Sequence, residues 1–354
     1  MAYPKRIRTI VVDDSALFRT AISRGLHAHA EIEIVATAEN AMDAQEKILR
    51  LDPDVVTLDV EMPGMSGLEF LKLFMPKHPV RVVVVSGVSG VVFEAIRAGA
   101  VDFVAKPDAG AMPAFIDSLA EQIKAAAQAR IPTPVAIKGA QAHEDMGISQ
   151  AATRRVTAAW NPRSLIAIGA STGGTEAISA VLKALPGDMP GMVITQHMPP
   201  VFTRMYAERL DKECAMSVRE AQGGEAIVQG TAFVAPGDRQ MRVVKQGDTY
   251  YIRLGETDKV SGHCPSVDVL FASVCLAAGS AGVGVLLTGM GADGAKGMLE
   301  MKRAGAFTIG QDQRSCVVYG MPMEAMRLGA VTRQASLEMV PSVLLNQLKI
   351  QSKA

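Results

Sequence analysis

The chain alternates short apolar runs with segments of helical periodicity, and this alternation predicts a parallel α/β fold. In the first 128 residues five such pairs follow one another, and the apolar runs are rich in β-branched residues. They lack strict polar alternation, as expected of strands buried on both faces in a parallel sheet covered by helices. The pairs are RTIVVDD with ALFRTAISRGL, IEIVATAE with MDAQEKIL, VVTLDV with GLEFLKLF, RVVVVSG with VVFEAIRAGA, and VDFVAKP with MPAFIDSLAEQIKAAAQA.

A second set of runs starts at Leu165, after a stretch without periodicity. Residues 129–162 contain Pro132, Pro134 and scattered polar groups, which is typical of a linker. Beyond it, LIAIGAS, MVITQH, TAFVAPG, GVGVLLTG and AFTIG predict strands, and MRVVK and TYYIRL predict a β-hairpin around Gln-Gly-Asp. We predict two doubly wound parallel-sheet α/β domains at 1–127 and 163–354, joined by a linker at 128–162, with the hairpin inserted in the second.

The amino-acid composition and net charge limit the classes of partner that the protein is expected to bind. The 354 residues are 49% hydrophobic and 20% charged, and 36 basic side chains balance 36 acidic ones. A neutral chain argues against nucleic acid or an anionic membrane as the main partner. No apolar run approaches the roughly 18 residues of a membrane helix, so we expect a cytoplasmic protein without membrane insertion. The four cysteines show no C-x-x-C spacing, so neither a zinc site nor a redox motif is predicted.

Chemically biased residues follow the strands of the first domain. Ligands of parallel α/β sheets bind beyond the carboxyl ends of the strands. Here those ends carry Asp13 and Asp14 (strand one), Asp59 (strand three), Ser86 (strand four) and Lys106 (strand five). Converging carboxylates repel one another, and a hard cation such as Mg²⁺ relieves the repulsion. With a lysine and a hydroxyl nearby, the set suggests phosphoryl transfer to Asp59.

Any one of these aspartates alone would be explained as a helix cap. Together with DVEMPGMSG and GAVDFVAKP, however, residues 6–127 resemble the flavodoxin-like receiver domain of bacterial response regulators. The resemblance implies that a histidine kinase is the phosphodonor for Asp59, that Ser86 and Lys106 contact the phosphoryl group, and that the Lys106–Pro107 bond is cis. It also implies a Mg²⁺ site formed by Asp13, Asp14, Asp59 and the Glu61 carbonyl.

The second domain opens with Gly169-Ala-Ser-Thr-Gly173, which fits the strand-to-helix turn G-x-S-x-G. Alone, this pattern leaves three alternatives: a phosphate-binding loop, a helix cap, or a nucleophilic serine at Ser171. The turn at Ser171 has no G-x-G-x-x-G and no Gly-Lys-Ser/Thr ending, and no acidic residue closes the following strand MVITQH, so the nucleotide alternative is disfavoured.

A nucleophilic serine needs a base and a group that orients the base. His197 follows the strand MVITQ, and Asp293 follows GVGVLLTG, so both are expected at the same rim as Ser171. His263 is the rival histidine. Asp293 alone would be interpreted as the N-cap of the following helix, but three such residues at one rim favour a catalytic set.

The motifs IAIGASTGG, ITQHMPP, HCPSVDVLF, LLTGMGADGAKGM and CVVYGMP resemble the catalytic domain of the chemotaxis protein-glutamate methylesterases, over about residues 163–348. The resemblance implies hydrolysis of glutamate γ-methyl esters on methyl-accepting chemotaxis receptors, with methanol released, and deamidation of receptor glutamines. It assigns Ser171, His197 and Asp293 as the catalytic residues, and Thr172 and Met290 as active-site support, with the Met290 N–H as the oxyanion donor. It needs no cofactor in this domain, and it implies that phosphorylation of the receiver domain relieves an obstruction of the esterase.

Four alternatives remain at this point. A DNA-binding output lacks a helix-turn-helix and a basic face. A catalytically silent module would not need all three catalytic residues. A cysteine hydrolase acting through Cys264 or Cys316 would survive Ser171→Ala. A paralogue with the same chemistry on a non-chemotaxis protein is the strongest alternative.

Overall fold

A computed structural model describes residues 6–87, 89–107, 110–131 and 160–353. The chain divides into two compact units, Met1–Arg154 and Arg155–Ala354. Most of the predicted linker, residues 132–159, lies outside the described residues, so the predicted bounds of 128–162 stay a prediction.

The first unit is a five-stranded parallel sheet in the order β2-β1-β3-β4-β5. Its strands are β1 Ile7–Val12, β2 Ile32–Ala38, β3 Val55–Asp59, β4 Val82–Ser86 and β5 Asp102–Ala105. Its helices are α1 Ala16–Leu26, α2 Ala41–Leu51, α3 Gly67–Phe74, α4 Ser89–Arg97 and α5 Met112–Gln128. Every residue of β3 and β4 is buried, which confirms the prediction of central strands covered on both faces.

The second unit has a seven-stranded sheet in the order β15-β14-β13-β6-β7-β10-β8, in which all pairs are parallel. Its strands are β6 Leu165–Ala170, β7 Met192–Gln196, β8 Ser217–Glu220, β10 Thr231–Val234, β13 Gly282–Leu286, β14 Phe307–Gln311 and β15 Arg333–Ala335. Its helices are α6 Gly174–Lys183, α7 Phe202–Glu213, α8 Val267–Ala278, α9 Ala295–Arg303, α10 Met321–Arg327 and α11 Val340–Gln351. Two 3₁₀ turns, Gly279–Ala281 and Leu337–Met339, complete it.

The predicted hairpin is confirmed. It consists of β11 Met241–Gln246 and β12 Thr249–Leu254, and the two-residue β9 Ala226–Ile227 pairs with β12 to make a small antiparallel sheet. The helix α8 packs with residues of this hairpin and of β6 in one core cluster, to which it contributes Leu270 and Phe271, both fully buried. Each such side chain contributes about 1.5–3 kcal/mol by leaving water. The start of α8 is thereby held firmly beside the sheet.

The cis peptide bond expected before Pro107 is not found. Among the described residues the cis bond precedes Pro265 instead.

Candidate active site and acidic pocket

The carboxyl ends of β6, β7 and β13 form the rim at which the predicted catalytic residues lie. Ala170 is in register with Gln196, and Gly169 with Leu286, so the three strands end at the same level. After β6 the chain crosses to β7 on one side, whereas β13 continues to β14 on the other. Such a reversal of strand order opens a crevice, which is where ligands of doubly wound sheets bind.

Ser171 lies in a sharp turn between β6 and α6. Its N–H donates to the Thr288 carbonyl at 3.0 Å, and its own carbonyl accepts from the Gly174 N–H at 2.6 Å. Gly173 has φ +76°, and a Cβ there would lie 2.6 Å from Val317, so only glycine fits. The N-terminus of α6 has no side-chain cap. The Ser171 hydroxyl is therefore not a cap, which removes one of the alternatives open at the sequence level.

His197 is oriented by Asp293. The Nε2 atom of His197 lies 2.8 Å from Asp293 Oδ2, and both side chains are almost fully buried. The other ring nitrogen, Nδ1, is buried and has no hydrogen-bond partner among the described residues. Because a carboxylate accepts, Nε2 carries the proton and Nδ1 presents its lone pair. Nδ1 is thus the nitrogen that is free to act as a base.

The Asp293 carboxylate is anchored at the N-terminus of α8. Its Oδ1 accepts from Ser266 Oγ at 2.7 Å, from the Asp268 N–H at 3.0 Å and from the Gly294 N–H at 3.1 Å. Its Oδ2 accepts from the Val267 N–H at 2.7 Å as well as from His197. Asp293 therefore satisfies free N–H groups of α8 rather than capping its own following helix.

These donors decide the charge of Asp293. Burial alone would raise the pKa of the Asp293 carboxyl, but hydrogen bonding and charge from His197, with the donors of Asp268 and Ser266, lower this pKa below its ordinary value. The group stays ionised and can stabilise an imidazolium.

His263, the rival histidine, stacks on the base. The rings of His197 and His263 are 3.7 Å apart between centroids and inclined by 11°. Burial, followed by the charge of His197, lowers the pKa of His263 to about 4. His263 is therefore neutral at physiological pH and lies against the face of the base, without a bond to Asp293.

Met290 and Thr172 complete the rim. The Gly289 carbonyl accepts from the N–H groups of Gly320 and Met321. The Met290 N–H takes part in no hydrogen bond among the described residues and remains available for a ligand. Thr172 is buried, and its carbonyl accepts from Thr288 Oγ1 at 3.0 Å.

Several residues that organise this rim were not found from the sequence. Gln196 donates to the carbonyls of Ser171 and His197, and Gln240 donates to the carbonyl of His263. Ser266 bonds both Asp293 and the first turn of α8. Only Ser266 has a recognisable signal, as a serine preceding the helical pattern VDVLFASV.

The acidic pocket of the first unit forms as predicted. Carboxylate oxygens of Asp13, Asp14 and Asp59 lie within 4.8 Å of one another. Lys106 Nζ reaches Asp59 Oδ2 at 2.6 Å and Asp13 Oδ2 at 3.3 Å. Burial lowers the pKa of Lys106, but the two aspartates outweigh it and hold that pKa above its ordinary value. The lysine therefore remains charged.

Oxygen donors in this pocket fit a hard divalent cation. Burial raises the pKa of the Asp13 carboxyl above its ordinary value. Its Oδ2 lies beside the Lys106 ammonium, but it accepts no hydrogen bond from any residue that the structure describes. Such a carboxylate favours a nearby positive charge, which an ion with oxygen ligands would supply. Glu61 lies beside the cluster, with its N–H donating to Asp59 Oδ1 at 3.0 Å, and Ser86 ends the neighbouring strand, fully buried.

Arg19 is a further organiser that the sequence did not reveal. Its Nη1 donates to the carbonyls of Asp13 at 2.6 Å and of Asp14 at 3.0 Å. This bond pair fixes the turn that presents both carboxylates. Phe18, next to it on α1, lies under the Lys106 ammonium at 5.3 Å.

Within the described ranges, no helix is both long and apolar enough to cross a membrane.

One sheet carries a serine beside an oriented histidine–aspartate pair, which is the arrangement of a hydrolase domain. The other sheet carries a carboxylate cluster bridged by a lysine, which is the arrangement of a receiver domain. Comparisons with known proteins agree. The family model for the response regulator receiver domain matches residues 9–116, and that for the CheB methylesterase matches residues 166–344. The chain belongs to the CheB methylesterase family, in its form with a receiver domain.

Relatives match over almost their whole length. A protein-glutamate methylesterase/protein-glutamine glutaminase 2 of Syntrophomonas wolfei is 48% identical over 97% of this chain and 99% of its own. The protein-glutamate methylesterase/protein-glutamine glutaminase of Salmonella typhimurium is 46% identical over 97% of each chain. The crystal structure of the Thermotoga maritima CheB methylesterase catalytic domain is 34% identical, with a TM-score of 0.51, and covers 52% of this chain and 98% of its own.

Proposed function

We propose that this protein hydrolyses glutamate γ-methyl esters on methyl-accepting chemotaxis receptors, with release of methanol, and deamidates receptor glutamines to glutamate. Relatives that match along almost their whole length carry both activities in their names. The single observation that carries the proposal is the pair His197–Asp293 beside Ser171, with one ring nitrogen held and the other left open.

Ser171 is the nucleophile in this proposal. Its Oγ attacks the γ-carbonyl while His197 Nδ1 takes the hydroxyl proton, and Asp293 stabilises the imidazolium that forms. The proton then passes to the leaving group, which is the ester oxygen, released as methanol, or the amide nitrogen of a glutamine, released as ammonia. Water attacks the acyl-enzyme by the same route, with His197 again as base, and frees the carboxylate. No hydrogen bond joins Ser171 Oγ to His197 among the described residues; such bonds commonly tighten only with substrate present.

Met290 is the proposed oxyanion donor. The tetrahedral intermediate carries a negatively charged oxygen, which N–H donors stabilise. The Met290 N–H lies on the loop after β13 and forms no hydrogen bond with the described residues. Thr172 supports this turn through its carbonyl bond to Thr288. No cofactor is proposed for this domain.

Asp59 is the proposed phosphoacceptor. A histidine kinase is the proposed donor, and Ser86 and Lys106 contact the transferred phosphoryl group. Asp13, Asp14, Asp59 and the Glu61 carbonyl would hold Mg²⁺, which supplies neutralisation of the phosphoryl oxygens when bound. Lys106, already charged and bonded to Asp59, supplies a second positive charge.

Phosphorylation is proposed to turn on the esterase. Phosphorylation replaces the single negative charge of the Asp59 carboxylate with a group that carries nearly two, at a position where Lys106 now pairs with two carboxylates. That change rearranges the lysine's bonds and biases the receiver between two states.

The chemistry is tested by mass spectrometry of methylated receptor membranes incubated with the protein. We expect methyl loss and amide-to-acid conversion at specific glutamyl positions, and none with Ser171→Ala. Unchanged conversion with Ser171→Ala would contradict the serine mechanism and would favour a cysteine nucleophile, Cys264 or Cys316. Conversion of no receptor position by the wild type would favour a methylated protein outside chemotaxis.

The regulatory part is tested by Asp59→Asn. The variant removes the acceptor carboxylate, so the ratio of esterase rates with and without a small phosphodonor should fall to one. A ratio that stays above one would show that the donor acts elsewhere.

A further inference from the structure

We propose that Gln196 is a positioning residue that fixes the nucleophile turn against the loop of the base. The inference rests on the proposed roles of Ser171 and His197. Gln196 ends β7, is 3% exposed, and directs its side chain under the Ser171 turn.

One amide group ties the two catalytic segments together. Gln196 Nε2 donates to the Ser171 carbonyl at 2.9 Å and to the His197 carbonyl at 3.2 Å. The reversed amide would place an oxygen against two carbonyl oxygens, so the network itself sets the orientation. Ser171 and His197 are 26 positions apart in the sequence, and the Gln196 side chain bonds the backbone of both.

The other end of the amide has no partner. Gln196 Oε1 is buried and accepts no hydrogen bond among the described residues. A Cβ on Gly174 would lie 2.1 Å from this oxygen, so the start of α6 packs directly over it. A buried acceptor without a donor is unfavourable for stability. An apolar side chain would avoid that penalty, so the donated bonds are the reason for a glutamine here.

The two hydrogen bonds donated by the Gln196 amide, here called the clamp, control the distance from the Ser171 hydroxyl to the His197 ring. Ser171 Oγ and His197 Nδ1 must come within hydrogen-bond reach when substrate binds. A displacement of about 1 Å between reacting groups can lower a rate about 10²-fold. Without the shared donor, the bond from the His197 N–H to the Ala170 carbonyl at 3.2 Å still joins the two strand ends, but the Ser171 carbonyl loses its bond to Gln196 and the turn can shift relative to the base.

The experiment compares Gln196→Met with Thr308→Val in the full-length chain. Methionine has nearly the volume of glutamine but no donor. Thr308 is equally buried, and its hydroxyl bonds the Ala330 carbonyl at 2.6 Å on β14, away from the rim. It therefore matches the loss of a buried polar group without touching the clamp. Thermal unfolding is recorded for both variants.

Two rates are measured. The first is methanol release from methylated receptors, with kcat and KM determined separately. We expect Gln196→Met to lower kcat about 10- to 100-fold with KM within about twofold of wild type. Thr308→Val should leave kcat within about twofold.

The second rate needs no receptor. In a Ser171→Cys background, the new thiol is alkylated with iodoacetamide, and peptide mapping separates it from the four native cysteines. Adding Gln196→Met should slow this alkylation at least tenfold, because His197 no longer meets the sulfur in the geometry that ionises it.

The outcomes separate this inference from the proposed function. If both rates fall no further in Gln196→Met than in Thr308→Val, the positioning role is overturned. If wild type releases no methanol but the alkylation slows as expected, the proposed substrate is wrong and the positioning role stands.

Discussion

The substitution Asp293→Asn should uncouple the base from its orienting group while leaving the site assembled. The Oδ1 atom of Asp293 accepts three donors, so the asparagine oxygen would occupy that position. Its amide then replaces Oδ2, facing the Val267 N–H and His197 Nε2. A donor there forces His197 to accept through Nε2 and to carry its proton on Nδ1, where it cannot act as a base.

The magnitude follows from these bonds. Reversal of the histidine tautomer in serine proteases lowers kcat about 10⁴-fold, which corresponds to about 5 kcal/mol in the activation barrier. We expect a loss of that order here. The stability cost should be smaller, because only the Val267 N–H loses its acceptor, at about 1–3 kcal/mol in the free energy of unfolding.

The assay is methanol release from methylated receptors, with urea unfolding measured alongside. Asp268→Asn is the matched control, because this carboxylate bonds the Gly297 N–H at 2.8 Å and Ser261 Oγ at 3.0 Å but not His197. It should keep kcat within about tenfold. An Asp293→Asn rate within tenfold of wild type would refute the tautomer argument.

Further predictions concern the neighbouring residues. Histidine has an ordinary pKa of 6.5, and the pKa of His263 is lowered to about 4 in the folded protein. As pH falls from 6.5 to 4, the unfolded chain therefore binds a proton that the folded chain does not, and stability is lost. His263→Phe should remove up to about 3 kcal/mol of that loss, measured by urea unfolding across this pH range, and an unchanged slope would contradict it. Gly173→Ala should lower kcat at least tenfold, because its φ of +76° and the contact with Val317 leave no room for a Cβ; wild-type kinetics would refute this. Lys106→Met should abolish stimulation by a phosphodonor, measured as the ratio of rates with and without donor, and a retained ratio would count against the role of Lys106.

Strand ends were predictable because burial and topology constrain them together. Central strands such as β4, VVVVS, carry continuous apolar residues, and their carboxyl ends must meet at one edge. The pattern therefore predicted the strand-end positions of Asp13, Asp59, Ser171 and His197. Three edge strands were missed, namely β8, β15 and the two-residue β9 of the small sheet. β8, SVRE, and β15, RQA, are short and largely polar, because an edge strand has one neighbour and much solvent.

Residues that orient the site were harder to predict, since their role depends on contacts between distant segments. Gln196 looks like the last polar residue of a strand, and nothing local reveals that its amide reaches back to Ser171. The stacking of His263 on His197 joins positions 66 residues apart, brought together by the loop that Gln240 holds. Asp293 was expected to be catalytic or a cap of its own helix. It does not cap its own helix. It accepts from the N-terminus of α8, which begins 26 residues earlier in the chain, and it also bonds His197, so its catalytic role stays a prediction.

Methanol release from methylated chemoreceptor membranes tests the central claim most directly. Wild type and Ser171→Ala are each assayed with and without a small phosphodonor and Mg²⁺. We predict release that requires Ser171 and rises with the donor. Release that persists in Ser171→Ala, or wild-type release that does not respond to the donor, would contradict a phosphorylation-gated serine methylesterase.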